Sequence, residues 1–371
     1  MMSRLTREQK AEQIAQMQGA VTRINENTYS VKSQSGSGDY EVICGIFGFA
    51  CSCPDHTYRS VKCKHIFAVE YSLKLREQVK ANTVIAVLNL SACLFCTSKN
   101  IIKSGIRHNK HSGDIQRLYC KDCERYFTVN LGFAGMKAPA QVITAAMQLY
   151  FTGESLRNVQ KFLRLQGYEV NHMTVYRWIK KYVKLMENYL EKIKPQVSDV
   201  WRTDEMYLTV SGNMKYLYAI MDDETRFWIA QQVAHTKYTE DVRPLFKEAR
   251  EVAGKKPMTL ISDGARNFEE ACRREYYTMA MPKTKHIRHI HISGDKNNNK
   301  MERLNGEIRD REKTMRGLKK MDTPIIKGYQ IYHNYLREHE GLDGKTPAEK
   351  AGIKIEGKDK WLTIIQNSVK K

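Results

Sequence analysis

Residues 201–234 read WRTDEMYLTVSGNMKYLYAIMDDETRFWIAQQVA. Three runs rich in aromatic and β-branched residues are separated by two turn-forming stretches, SGN and DDET. This is the pattern of a three-strand meander. Beyond it the texture alternates. A helical pattern covers 240–253, MTLISD reads as a strand, 265–277 as a helix, HIRHIHI as a strand, and a long helix begins about 296. A meander followed by alternating elements predicts an α/β core, a mixed sheet with helices on both faces. In such sheets the site lies at strand carboxyl ends where strand order reverses.

Acids occupy that region. Asp204 lies in the first strand beside Glu205, and Asp263 closes the fourth. Asp is a poor strand former, although LISDG is also an ordinary turn signal. A third acid must come from the last helix, where GDKNNNKMERLNGEIRDREK (294–313) offers Asp295, Glu302, Glu307 and Asp310. Burying three unpaired carboxylates is costly, so such a cluster calls for metal. Divalent ions on shared carboxylates can activate a water or a 3′-hydroxyl and stabilise the leaving oxygen of a phosphodiester displacement. Magnesium suits few carboxylates and several retained waters. Asp222 and Asp223 fall in a predicted hairpin turn, and Glu205 on the opposite strand face from Asp204.

WRTDEMYLTVSGNMKYLYAIMD, LISDGARNF and NNNKMERLNGEIRDREK resemble the three catalytic blocks of DDE-type insertion-sequence transposases, nearest to insertion-sequence family six and its archaeal relatives. The resemblance spans roughly 200–355. It implies a ribonuclease-H-like core with Asp204, Asp263 and Glu302 as catalytic ligands of Mg²⁺ or Mn²⁺. Glu302 stands in N-x-x-E-R, with Arg309 at the usual basic position seven residues on. Arg311, Lys313, Arg316, Lys319 and Lys320 continue the basic run expected to hold phosphates. The implied activity is cleavage of transposon ends and joining of their 3′-hydroxyls to target DNA. The implied partners are double-stranded terminal inverted repeats, target DNA, and a second copy of the chain or more in the synaptic complex. Two features depart from the family. The step from Asp263 to Glu302 is 39 positions, longer than usual, and Asp295 and Asn298 stand where Tyr and Arg often precede the Glu. Asp295, seven before Glu302, stays open as a rival third ligand. A domesticated DNA-binding regulator and a ribonuclease-H-like nuclease without strand transfer are the alternative functions.

Seven of the nine cysteines fall in close-spaced sets. CSCPDHTYRSVKCKH supplies Cys51, Cys53, Cys63 and His65, a complete ligand set for tetrahedral structural zinc. Its CxC…CxH pattern resembles the SWIM zinc finger, with IFAVEYSLKLRE as the following helix; His56 is a rival ligand of poorer spacing. CLFC…CKDC supplies Cys93, Cys96, Cys120 and Cys123 with 23 residues between the knuckles, which resembles a zinc ribbon. Both sites read as closed scaffolds. Cys44 and Cys272 remain as packing residues.

SLRNVQKFLRLQGYEVNHMTVYRWIKKYVKLM reads as a helix-turn-helix turning at Gly167. Leu156, Val159, Phe162 and Leu163 form one apolar face, and Val175, Trp178, Ile179 and Val183 the other. Asn171 or Thr174 caps the second helix. Its free side then presents His172, Thr174, Arg177, Lys180 and Lys181 to DNA.

The whole chain fits this picture. It has 371 residues, 42% hydrophobic, with a net charge of +20 and a pI near 9.4. Such a surplus attracts phosphate backbones. No apolar run is long enough to span a bilayer and no signal-peptide pattern opens the chain. The expected location is cytoplasmic, prokaryotic and nucleoid-associated, with no membrane partner. The expected order is an N-terminal helix (1–24), a SWIM-type finger (25–80), a zinc ribbon (88–132), a helix-turn-helix domain (137–193), the DDE core (197–340) and a C-terminal tail (341–371). Elemental analysis should find about two zinc ions per chain, falling to about one in Cys51→Ser or Cys93→Ser; a metal-free protein would overturn both finger readings.

Overall fold

The computed structural model describes residues 6–369 except 18, 25–26, 35, 37, 46–47, 79–82, 89–90, 110–112, 129, 278–283, 289–298, 316–317 and 322. They form two compact units. The first comprises Met1–Ala81, Gln196–Tyr207 and Lys215–Asn305; the second comprises Asn82–Pro195, Leu208–Met214 and Gly306–Lys371.

In the first unit, α1 (Arg7–Gln16) opens on a capping box in which Thr6 and Gln9 satisfy each other's backbone donors. Strands β1 (Val21–Arg23), β2 (Thr28–Lys32), β3 (Asp39–Gly45) and β4 (Gly48–Cys51) form an antiparallel sheet in sequence order. Helices α2 (Pro54–Arg59) and α3 (Lys64–Gln78) complete the module. Ala11 and Ile14 of α1 share one core with Val31, Val42, Ile66 and Val69, so the N-terminal helix belongs with the finger and not apart from it.

In the second unit, β5 (Thr83–Ile85) precedes a three-stranded antiparallel ribbon of β6 (Ile101–Asn109), β7 (Gly113–Cys120) and β8 (Tyr126–Thr128). Thr97 and Glu124, each just after the second cysteine of a knuckle, have φ of 60° and 53°. This left-handed step turns each knuckle back toward its partner. Helices α4 (Ala140–Thr152), α5 (Leu156–Leu165) and α6 (His172–Leu190) follow. Ser155 caps α5 and Asn171 caps α6. Val159 and Leu163 pack with Val175, Trp178, Ile179 and Val183, whereas Phe162 is exposed.

The core of the first unit is built on β9 (Val200–Val210), β10 (Asn213–Asp222), β11 (Trp228–Ala234), β12 (Thr259–Ser262) and β13 (Lys285–Arg288), in the sheet order β11-β10-β9-β12-β13. Ser211 and Gly212, with φ of 50° and 78°, make the two-residue hairpin turn between β9 and β10. The β10–β11 pair is antiparallel, while β12 runs parallel to both β9 and β13. The expected mixed sheet is thus present, in the ribonuclease-H-like order. Helices α7 (Thr239–Ala253) and α8 (Arg266–Tyr276) pack together, and α9 (Asn299–Met315) follows β13. Trp201 and Trp228 are fully buried, and each indole N–H donates to a backbone carbonyl, of Ser198 and Ala230 respectively.

Residues after 323 do not trail away. Helix α10 (Pro324–Tyr335), a 3₁₀ turn at Glu340–Leu342, α11 (Pro347–Lys350), β14 (Ile353–Ile355) and α12 (Lys360–Val369) all belong to the second unit. There β14 pairs in parallel with β5, and α12 packs on α6 and α4. Thr346 and Glu349 form a capping box on α11. The ring of Phe151 lies 5.5 Å from Trp361 and 6.3 Å from Tyr332. Gly328 permits this approach: a Cβ there would meet the Phe151 ring at 2.4 Å and Val183 at 2.8 Å. Gly328→Ala should therefore lose about 1–3 kcal/mol in urea denaturation, although alanine is the better helix former. A second change, Phe151→Leu, should recover part of the loss; a more stable Gly328→Ala would refute the packing account.

Candidate active site

The parallel register brings two acids together. Ile261 of β12 opposes Arg202 of β9. Carried two residues on, that register sets Asp263 beside Asp204. Asp204 lies within β9, not at its end, and its neighbour β12 stops at Ser262. The chain then turns through Gly264, whose φ is 97°, a conformation that costs other residues a steric penalty. Asp263 also holds this turn, its Oδ1 accepting from the Ala265 N–H at 3.2 Å. The turn reading and the site reading of Asp263 therefore coexist.

Among the described residues, carboxylate oxygens of Asp204, Glu205 and Asp263 lie within 4.8 Å of one another. Glu205 was expected only as a neighbour on the other strand face. Its side chain does lie toward Tyr207 and Lys237 of that face, yet its carboxylate reaches the pair. Glu302, in the first turn of α9, stands outside this tightest group but near enough to add to the repulsion felt at Asp204. Asp295 lies outside the described residues. Burial first, then the charge of Asp263, pushes the Asp204 carboxyl from its ordinary 3.8 up to about 7, with Glu205 and Glu302 contributing. Its oxygens are not idle: Oδ1 accepts from the Glu205 N–H at 3.0 Å, and Oδ2 from Asn305 Nδ2 at 2.8 Å.

The pair once read as turn residues is buried. Asp222 accepts from Ser198 and Thr225, and so braces the hairpin from inside. Asp223, fully buried, pairs with Arg202 and with Lys300. Arg202 is two residues before Asp204, and Lys300 is two before Glu302. One carboxylate thus ties the strand carrying Asp204 to the start of the helix carrying Glu302. Breaking such a pair typically costs about 3–5 kcal/mol because the remaining charge stays buried. Asn305 was legible in principle, since it lies one turn after Glu302 on the same helix face. Asp223 gave no signal beyond its place at the end of an apolar strand.

The donor set fits a hard divalent cation. All its donors are carboxylate oxygens, as Mg²⁺ and Mn²⁺ prefer. Oε2 of Glu205 is buried with no hydrogen-bond partner, which leaves an oxygen for a cation to satisfy. The cysteine sets fit zinc equally well. Sγ of Cys51 and of Cys63 each lie 3.9 Å from Nδ1 of His65, near the edge of a zinc tetrahedron. His56 points elsewhere, its Nδ1 2.9 Å from the Val61 carbonyl oxygen. In the ribbon, Cys93–Cys123 and Cys96–Cys120 are each 3.5 Å apart.

A family model described as a DDE domain matches residues 198–339. Over 128 residues the chain is 30% identical to the transposase for insertion sequence-like element IS431mec of Staphylococcus aureus, with 33% of this chain and 55% of the relative covered. The transposase for IS257 in transposon Tn4003, from the same species, matches to the same degree. The chain therefore spans about half the length of these relatives. Structures similar to part of this chain include the HTLV-2 integrase catalytic core domain in complex with magnesium, 18% identical over 43% of this chain and 98% of that one (TM-score 0.32). Another is the simian T-cell lymphotropic virus intasome in complex with a PP2A regulatory subunit, 13% identical over 56% and 73% (TM-score 0.33).

The raised carboxyl of Asp204 links the carboxylate cluster to stability. The folded chain binds this proton more tightly than the unfolded chain. The group therefore favours folding below its ordinary 3.8, and that contribution is lost as pH rises through about 7. In buffer free of magnesium and of chelator, Asp204→Asn should melt roughly 2–6 °C above the wild type at pH 8, with the gap closing toward pH 5. Parallel melting curves across that range would contradict the assignment.

Proposed function

We propose that this chain is a DNA transposase that cuts transposon ends and joins their 3′-hydroxyls to target DNA. The reading is carried by Asp204, a half-buried carboxyl in the central strand of a ribonuclease-H-like sheet, crowded by Asp263 and Glu302. In this reading Asp204, Asp263 and Glu302 hold Mg²⁺ or Mn²⁺. Bound there, the ions supply Lewis-acid activation of the attacking oxygen and stabilisation of the leaving one. Asn305 orients Asp204 by donating to Oδ2. The triad of Arg202, Asp223 and Lys300 keeps strand and helix in register.

DNA recognition is assigned to the second unit. On α6, Arg177, Lys180 and Lys181 are exposed, and His172 and Thr174 half-exposed, at the end capped by Asn171. That is the disposition of a recognition helix. Arg309 is exposed on α9, as are Lys313, Lys319 and Lys320, and these suit phosphate contacts. Arg311 does not: it is buried, donates to the Gly153 carbonyl and lies 4.1 Å from the Tyr150 ring centroid. Arg316 lies outside the described residues. The ribbon adds exposed Lys103, Arg107 and His108 on β6. The zinc ribbon holds its own β6 surface in shape, and the terminal inverted repeats are the proposed ligand of these basic surfaces. Bringing two ends together asks for at least a dimer. Among the described residues no helix is long and apolar enough to cross a membrane; a cytoplasmic place beside the chromosome accords with the proposed substrate.

Purified protein, labelled end DNA and Mg²⁺ provide the test. Asp204→Asn, Asp263→Asn and Glu302→Gln should each lower joining by at least roughly a thousandfold while end binding persists. Full activity in Glu302→Gln would transfer the third-ligand role to Asp295. Cleavage without joining would point to a nuclease, and end binding without either to a regulator.

A further inference from the structure

Beside the carboxylates lies a cation that neither the DDE chemistry nor the helix-turn-helix uses. Lys237, in the loop between β11 and α7, places Nζ 2.6 Å from Oε1 of Glu205. The same ammonium lies 5.2 Å from the ring centroid of Tyr207 and 5.1 Å from that of Tyr216. The two rings are 5.2 Å apart, and Tyr207 is 48% exposed. Nearby, Lys215 Nζ lies 2.6 Å from His235 Nδ1, and Tyr238 is 75% exposed. This is a basic, aromatic patch of the kind that tracks nucleic-acid strands.

The partner of Lys237 is what makes the patch unusual. The Glu205 side chain is only 10% exposed, Oε2 has no hydrogen-bond partner, and the carboxylate lies within 4.8 Å of those of Asp204 and Asp263. Glu205 therefore faces two claims, from Lys237 on one oxygen and from any divalent ion in the site on the other. The ion has the stronger claim. It carries twice the charge and answers three carboxylates at once, whereas the Lys237 end of the pair is 42% exposed, where ion pairs are weak. Once the carboxylate is neutralised by the ion, the ammonium keeps its aromatic seat but loses its anion.

We infer that Lys237 is a DNA-phosphate contact, held in reserve by Glu205 and released when a divalent ion takes that carboxylate. The inference rests on the metal-site reading above. It makes strand binding and metal loading cooperative, because each removes a competitor of the other. Tyr207 and Tyr216 fix where the released charge stands, at the margin of the carboxylate cluster.

The test uses the full zinc-loaded chain, a fluorescein-labelled 20-base-pair duplex of arbitrary sequence, and Ca²⁺, with affinity read by anisotropy over a range of salt. Without Ca²⁺, wild type and Lys237→Gln should bind alike. With Ca²⁺, wild type should bind roughly three- to tenfold more tightly than Lys237→Gln, and its salt slope should be steeper by about one. Glu205→Gln should show that advantage over Glu205→Gln/Lys237→Gln already without Ca²⁺, which isolates release from metal binding. Equal affinities in all three comparisons would overturn the inference. Calorimetry with Ca²⁺ separates the two readings. Uptake by wild type that is lost in Asp204→Asn, combined with no Lys237 effect, sinks only the reserve role; no uptake sinks the metal site and the coupling together.

Discussion

Carboxylates held close together repel one another, and the surroundings of Asp204 hold them crowded all the same. The repulsion appears as a carboxyl that keeps its proton near neutrality. It is sustained by rigid neighbours: a parallel register that sets Asp263 beside Asp204, and a fully buried Asp223 that grips a residue just before each of Asp204 and Glu302. Strain of this kind is tolerable only where a ligand can relieve it, and a divalent cation is the ligand that three or four oxygens of one charge select. Stability in the empty state is traded for readiness, as is common in catalytic sites.

A different limit governs the cysteine modules. The ribbon's buried cluster is Cys93, Leu94, Leu118, Cys120 and Phe127, and two of these five belong to the cysteine group proposed to hold zinc. So small an apolar core cannot offset the entropy of ordering three strands without a covalent or metal staple. The SWIM-type module is better provided, because α1 lays Ala11 and Ile14 onto the same core as Val31 and Ile66. A metal on Cys51, Cys53, Cys63 and His65 would close a fold that already has a centre.

Much of this was legible from residue order. Alternation and turn chemistry in 201–234 revealed the meander, because a half-buried strand must alternate and a tight hairpin needs left-handed residues such as Ser211 and Gly212. Cysteine spacing singled out both sets that the structure brings together, since close-spaced thiols in sequence stay close in space. What escaped depends on distant pairing. Asp223 looked like a turn residue because its partners, Arg202 and Lys300, are 21 and 77 positions away. Glu205 was assigned by strand alternation to the far face, and alternation cannot say how far a side chain reaches at the point where the neighbouring strand ends. Arg311 seemed one more cation of a basic run, but its helix face turns inward onto Tyr150. The residues after 340 read as a tail, because a three-residue strand such as β14 carries almost no periodic signal.

That short strand governs the order in which the molecule can be made. β5 emerges from the ribosome early, and its parallel partner β14 lies some 270 residues further on, as Thr83 pairs with Ile353. The Phe151 ring waits equally long for Trp361. The helices proposed to read DNA therefore share a unit that cannot finish folding until β14 and α12 have been synthesised. A product of premature termination lacks both β14 and α12, and with them the support beneath α4 and α6. Synthesis through α12 is thus a condition for the support of α4 and α6 to form.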